Sequence, residues 1–140
     1  MLYLDTSLLV SLYAKEPESE RVERWMVDQE PASLAISQWV LTEVSSAFSL
    51  KLRRDELSAV SRDDAIAAIE RFASGSMRML PIFNGHFRSA GAFARNHKIG
   101  LRAGDALHLA IAADHNADIC TRDFKFWQAA TTLGYAARMI

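Results

Sequence analysis

Cysteine is nearly missing from this chain: Cys120 stands alone among 140 residues. A lone thiol forms no internal disulfide, and no Cys/His set has the spacing of a zinc site. Neither device is therefore expected to hold the fold. With Ile119 beside it, Cys120 reads as a packed thiol rather than a nucleophile. Proline (3) and glycine (6) are sparse, which argues against a low-complexity or collagen-like chain. No apolar run approaches a membrane span, and the N-terminus shows no basic leader followed by a long apolar stretch. A soluble, cytoplasmic protein is the expectation. Nor does charge of one sign dominate: 16 Lys+Arg against 17 Asp+Glu leave a formal net charge of −1. That balance neither demands nor excludes a nucleic-acid partner, because an acidic cluster can mask a basic rim in the total.

What is present is a globular composition, 50% hydrophobic. The length favours one domain over residues 1–140, large enough to bury a core without staples. Short apolar runs at Leu2–Leu4, Leu34–Ile36, Met79–Phe83, Ile119–Thr121 and Tyr135–Met139 read as strands. Helical periodicity places helices over Leu8–Tyr13, Glu18–Asp28, Ser37 to about Arg54, Ser61–Ser74, Phe87–Asn96, Asp105–Asp114 and Phe124–Thr132. Ser37 and Ser61 are expected N-caps, Gly75 an expected helix end. Pro81 lacks an N–H, so its strand belongs at a sheet edge. Strands alternating with helices predict an α/β fold with a mostly parallel sheet covered on both faces.

Against this background, the placement of four carboxylates is unusual. Asp5 closes the first strand, and ligands of open α/β sheets gather beyond the carboxyl ends of strands. Asp123 closes the fourth strand in the same way. Both also suit a plain helix cap. Glu43 borders the apolar stripe Val40, Val44, Ala47 and Phe48, where an unpaired charge is costly. A Glu that reaches solvent is the plainer reading. Asp105 opens a helix that is apolar on nearly every side; helix-dipole complementarity would also explain it. Taken together, clustered carboxylates repel unless a cation joins them. Oxygen ligands without a nearby Cys or His pair favour Mg²⁺ or Mn²⁺, ions suited to phosphoryl chemistry. Thr121 could donate its hydroxyl to one of these acids.

The motifs Leu4-Asp5-Thr6-Ser7, Glu43 in its helix, Asp105-Ala-Leu-His-Leu-Ala110 and Thr121-Arg-Asp123 span almost the whole chain. In order and separation the chain resembles a PIN-domain ribonuclease, most closely the VapC-type toxins of type II toxin–antitoxin systems. The resemblance implies a three-layer α/β/α sandwich with sheet order 3-2-1-4-5. It also implies that Asp5, Glu43, Asp105 and Asp123 hold Mg²⁺ (Mn²⁺ possible), with Thr121 beside them. The implied reaction is cleavage of an RNA phosphodiester by metal-activated water. The implied partners are a cognate antitoxin and a second copy of the chain. On that analogy, the exposed apolar residues of the helices near Leu8 to Met26 are candidates for the antitoxin groove or a homodimer face.

Other residues divide between roles. Lys51, Arg53 and Arg54 complement a helix C-terminus. Of Arg88, Arg95, Lys98, Arg102, Arg122 and Lys125, the best candidates for phosphate contact are Arg102 and Arg122, close to the acids in sequence. His108 shares a helix face with Asp105 and reads first as a hydrogen-bonded structural residue, with orienting a carboxylate or acting as a base as the alternatives. His86, His97 and His115 show no constellation. Trp25, Trp39 and Trp127 fit packing better than base stacking.

Two other classes are weighed. One is an RNA- or protein-binding module with a vestigial metal site, against which the presence of all four acids argues. The other is a different strand-end aspartate enzyme. A haloacid-dehalogenase-like phosphatase needs an Asp where Ser7 stands, an integrin-type metal site needs a Ser at Leu9, and a response regulator needs an acidic pair near the first strand.

Overall fold

The computed structural model describes residues 1–14 and 17–140. Five short parallel strands form one sheet: β1 (Leu2–Leu4), β2 (Leu34–Ser37), β3 (Arg78–Leu80), β4 (Asp118–Thr121) and β5 (Ala137–Met139). Their order is β3-β2-β1-β4-β5, as the family resemblance implies. Strands β1, β2 and β4 are apolar runs buried almost throughout, the pattern of a sheet covered on both faces. The chain steps outward from β1 through β2 to β3, then returns to the other side of β1 for β4 and β5. Right-handed crossovers therefore send the first helices to one face and the later ones to the other.

On the first face lie α1 (Thr6–Tyr13), α2 (Ser19–Val27), α3 (Gln38–Arg53) and α4 (Ala59–Ser76); α1 packs on α2 and α3, and α3 on α4. The opposite layer holds α5 (Asn84–Ala94), α6 (Ala103–Asp114) and α7 (Phe124–Thr132), with α5 packed closely on α6. This is the expected three-layer arrangement. Helix α6 is buried along almost its whole length, from Ala106 to Ala112, and is the central element of its layer.

Several boundaries differ from the sequence expectation for local reasons. Helix α4 starts before Ser61, because Ser58 is the N-cap, its Oγ accepting the Ser61 N–H at 3.1 Å. Gly75 does not end that helix, which continues to Ser76. Strand β3 stops at Leu80, just before Pro81, and lies at the edge. Helix α5 starts earlier, at Asn84: the Phe83 N–H donates to His86 Nδ1 at 3.1 Å and the His86 N–H to the Phe83 carbonyl at 2.9 Å. Gly134 takes a left-handed turn (φ 84°) and the Tyr135 N–H still closes on the Ala130 carbonyl, so β5 begins only at Ala137. Ser37 precedes α3 as expected but makes no side-chain cap bond; its hydroxyl turns inward instead.

Candidate metal centre

Strand β1 delivers Asp5 to the carboxyl edge of the sheet, and the Asp5 N–H extends the ladder onto the Cys120 carbonyl of β4 at 2.9 Å. The residue is 5% exposed. Its Oδ2 accepts from three groups: Ser7 Oγ at 2.6 Å, Thr121 Oγ1 at 2.8 Å and, more weakly, the Ser7 N–H at 3.3 Å. This carboxylate thus caps α1 and also lies beside the other acids. The Thr121 hydroxyl also accepts the Asp123 N–H at 2.9 Å, and the Ser7 hydroxyl accepts the Arg122 N–H at 2.9 Å. These two hydroxyls lock β4 to the start of α1.

Asp123 caps α7 through Oδ1, which accepts the N–H groups of Lys125 (2.8 Å) and Phe126 (3.1 Å). It remains exposed at the mouth of a cleft of about 600 Å³ lined by Glu43, Arg102, Gly104, Asp105, Asp123 and Lys125, among others. Asp105 stands in the first turn of α6. Burial, then the charges of Asp5 and Asp123, push its carboxyl up to about 6. That shift is the electrostatic mark of acids gathered without a cation.

Glu43 reaches the same place from α3. Its Oε2 accepts from Thr6 Oγ1 at 2.7 Å and lies 2.7 Å from His108 Nε2. Burial pushes this carboxyl up, but the hydrogen bond of His108, helped by Thr6 and Trp39, outweighs it and holds Glu43 below its usual value. The Trp39 indole N–H is buried beside this group but outside hydrogen-bond geometry, so it contributes as a dipole and not as a formed bond. The other oxygen, Oε1, faces Gly104: a Cβ built on Gly104 would meet it at 2.5 Å. Only glycine lets the start of α6 approach Glu43 so closely.

All four predicted acids and Thr121 therefore converge. Asp5, Glu43 and His108 offer ligand atoms within 4.8 Å of one another, a spacing that a divalent ion can span. The donor set is dominated by carboxylate oxygen, which suits a hard cation such as Mg²⁺ or Mn²⁺. Arg102 is exposed on the rim of the cleft with Lys125. Arg122 behaves differently from the expectation. Its guanidinium donates to Ser11 Oγ at 2.7 Å and pairs with Glu18 at 3.1 Å, bracing α1 against the chain leading into α2.

The supporting residues Ser7, Thr6, Tyr3 and Gly104 were not singled out as site residues from sequence, and His108 read there first as a structural residue. Small hydroxyls beside a motif acid were the only available signal. His108 is both a hydrogen-bonded buried residue and one that touches a carboxylate. In the helices near Leu8 to Met26, Leu8, Leu9, Val10, Val22 and Met26 are buried in the chain's own core, while Leu12, Tyr13 and Trp25 are only partly buried. Large exposed hydrophobics are found instead at Phe83, Phe87, Phe124 and Val27, with others scattered singly.

The sheet order, the strand-end acids and the acidic mouth define a PIN-type fold. The chain belongs to the PIN-domain family, whose model matches residues 2–131. Among curated proteins it is 31% identical over 140 residues to Ribonuclease VapC46 of Mycobacterium tuberculosis (strain ATCC 25618 / H37Rv), covering 96% of this chain and 94% of that one. Among solved structures it is similar to VapC20 of Mycobacterium tuberculosis, a sarcin-ricin loop cleaving toxin (TM-score 0.72, 20% identity, 97% of each chain). It is likewise similar to VapBC2 from Rickettsia felis bound to a promoter DNA fragment (TM-score 0.67, 19% identity, 100% of this chain and 99% of that one). At those identities the structural likeness speaks for the fold. Among the described residues no helix is long and apolar enough to cross a membrane.

Proposed function

We propose that this chain, as one PIN-like domain over residues 1–140, is a metal-dependent endoribonuclease and the toxin of a type II toxin–antitoxin pair. The observation that carries the reading is the convergence of Asp5, Glu43, Asp105 and Asp123, from four separate elements, on one edge of the sheet. The name of the curated relative, a ribonuclease, and the toxin and complex titles of the structural neighbours support it.

In this reading the four acids hold Mg²⁺ or Mn²⁺. When bound, such an ion supplies charge stabilisation at a phosphodiester and lowers the pKa of a water. The chain's own residues do the rest. Thr121 and Ser7 fix Asp5 by donating to its Oδ2, while Thr6 and His108 fix Glu43. Arg102 and Lys125 on the rim meet phosphates flanking the scissile bond, with Arg122 beside Asp123 as a further, braced cation. An antitoxin closes the cleft, and a second copy of the chain completes the assembly.

The test is turnover of single-stranded RNA with Mg²⁺ by wild type, Asp5→Asn and Asp105→Asn. Both variants are expected to lose at least about 100-fold in rate, the scale of a lost transition-state charge contact. Equal activity in all three would remove these acids from the chemistry.

A further inference from the structure

Beneath the acidic cleft lies a buried polar chain that ends on Glu43. Ser37 of β2, Tyr3 of β1 and His108 of α6 are each 0% exposed. Ser37 Oγ and the Tyr3 hydroxyl are 2.8 Å apart, the Tyr3 hydroxyl and His108 Nδ1 2.9 Å, and His108 Nε2 and Glu43 Oε2 2.7 Å. Asp5 Oδ1 lies 3.5 Å from the same nitrogen. Each link joins a different pair of elements, so the chain runs through the core from the sheet to α3.

Geometry orders the protons. A nitrogen and a carboxylate oxygen approach to 2.7 Å only with a proton between them. In the neutral ring that proton sits on Nε2, which leaves Nδ1 an acceptor. The Tyr3 O–H must then donate to Nδ1, and the Tyr3 oxygen must accept from Ser37. Tyr3 keeps its proton in this environment, because burial holds its phenol far above the usual range. Every proton along the path points toward Glu43, and Ser37, Tyr3 and His108 each have a partner.

We propose that His108, fixed in its Nε2–H tautomer by Tyr3 and Ser37, is a positioning residue that pins Glu43 Oε2 and thereby aims Oε1 across Gly104 into the cleft. The inference rests on reading Glu43 as part of the metal-holding set. Buried partners that orient ligating groups are typically worth about 10- to 100-fold in metal affinity. The competing role is direct ligation through Nε2, which demands the opposite tautomer, with the proton on Nδ1.

The experiment uses the full chain and has two arms. In the metal-free protein, imidazole ¹⁵N NMR, with His108 assigned by its loss in His108→Gln, is expected to show a slowly exchanging Nε2–H. A proton on Nδ1 overturns the proposal, whatever metal does. In the second arm Mn²⁺ binding and RNA turnover are measured for wild type, His108→Gln and His108→Leu. Glutamine keeps an amide N–H near the Nε2 position and is expected to stay within about threefold of wild type. Leucine is expected to weaken Mn²⁺ binding on the order of tenfold. Loss of Mn²⁺ binding in His108→Gln, or a folded His108→Leu that binds as wild type, overturns the proposal. If His108→Leu fails to fold, the tautomer and the glutamine variant still decide. A wild type that binds no Mn²⁺ and cuts no RNA, yet keeps the Nε2–H tautomer, overturns the nuclease reading alone.

Discussion

At the residue scale, Asp105 concentrates the tension of the site. Its carboxyl is raised to about 6, above the unfolded value near 3.8, so the folded metal-free protein holds a proton that the unfolded chain has released between those values. Where the native state binds more protons, stability falls as pH rises. The expected outcome is that metal-free protein in EDTA loses stability from about pH 4 to about pH 6, as read by urea unfolding, and that Asp105→Asn removes this contribution. Partial exposure screens the effect, so on the order of 1 kcal/mol is expected above pH 6. A variant no more stable than wild type at pH 7 would contradict it.

Gly104 offers a second residue-scale test. An alanine there forces Oε1 of Glu43 aside, and because the obstructing atom ends a flexible side chain, the fold tolerates it. Gly104→Ala should keep its melting temperature within a few degrees while RNA turnover falls by at least about tenfold, since small misplacements of reacting groups are costly. This glycine was not legible as a site residue in the sequence, and for His108 orienting a carboxylate was only the second reading. Their roles depend on α3 and α6 meeting, a tertiary fact that no local spacing encodes. Asp5, Glu43, Asp105 and Asp123 were legible because charge at strand ends and beside apolar helix faces is anomalous locally.

At the element scale, two of the acids also start helices. Asp123 accepts two N–H groups of α7, and asparagine serves that cap about as well as aspartate. Asp123→Asn should therefore leave stability nearly unchanged while reducing activity, whereas Asp123→Ala should also cost about 1 kcal/mol in unfolding free energy. Equal stability of the two variants would mean the cap carries no weight. The same logic explains where boundaries were misread. Ser58 and Ser61 are both good caps on composition, and only the direction of one hydrogen bond separates them. Ser37 was expected to cap α3, but the inward pull of Tyr3 takes its hydroxyl. The edge position of β3 agreed with the reading of Pro81, although the strand ends at Leu80 and Pro81 stands just outside it.

At the scale of the whole molecule, the sheet brings together charges from both ends of the chain. An ion that binds the folded cluster but not the unfolded chain stabilises by mass action, about 2.7 kcal/mol at 100 times its Kd. Mg²⁺ or Mn²⁺ should raise the melting temperature of wild type by several degrees and that of Asp105→Asn by much less. Equal shifts in both would place the ion elsewhere. The α/β alternation and parallel sheet were readable from the pattern of apolar runs. The strand order was not, because it depends on which neighbours each strand finds, and it entered through resemblance to a known family.

Strand β1 is made first, yet it sits at the centre of the sheet between β2 and β4. A chain still being synthesised can pair β1 with β2, but Asp5 has no Thr121 to hold it and no Asp123 beside it until β4 is complete. The cleft is therefore withheld until the chain has been made through β4, so a chain made only as far as α6 carries three of the acids without the site.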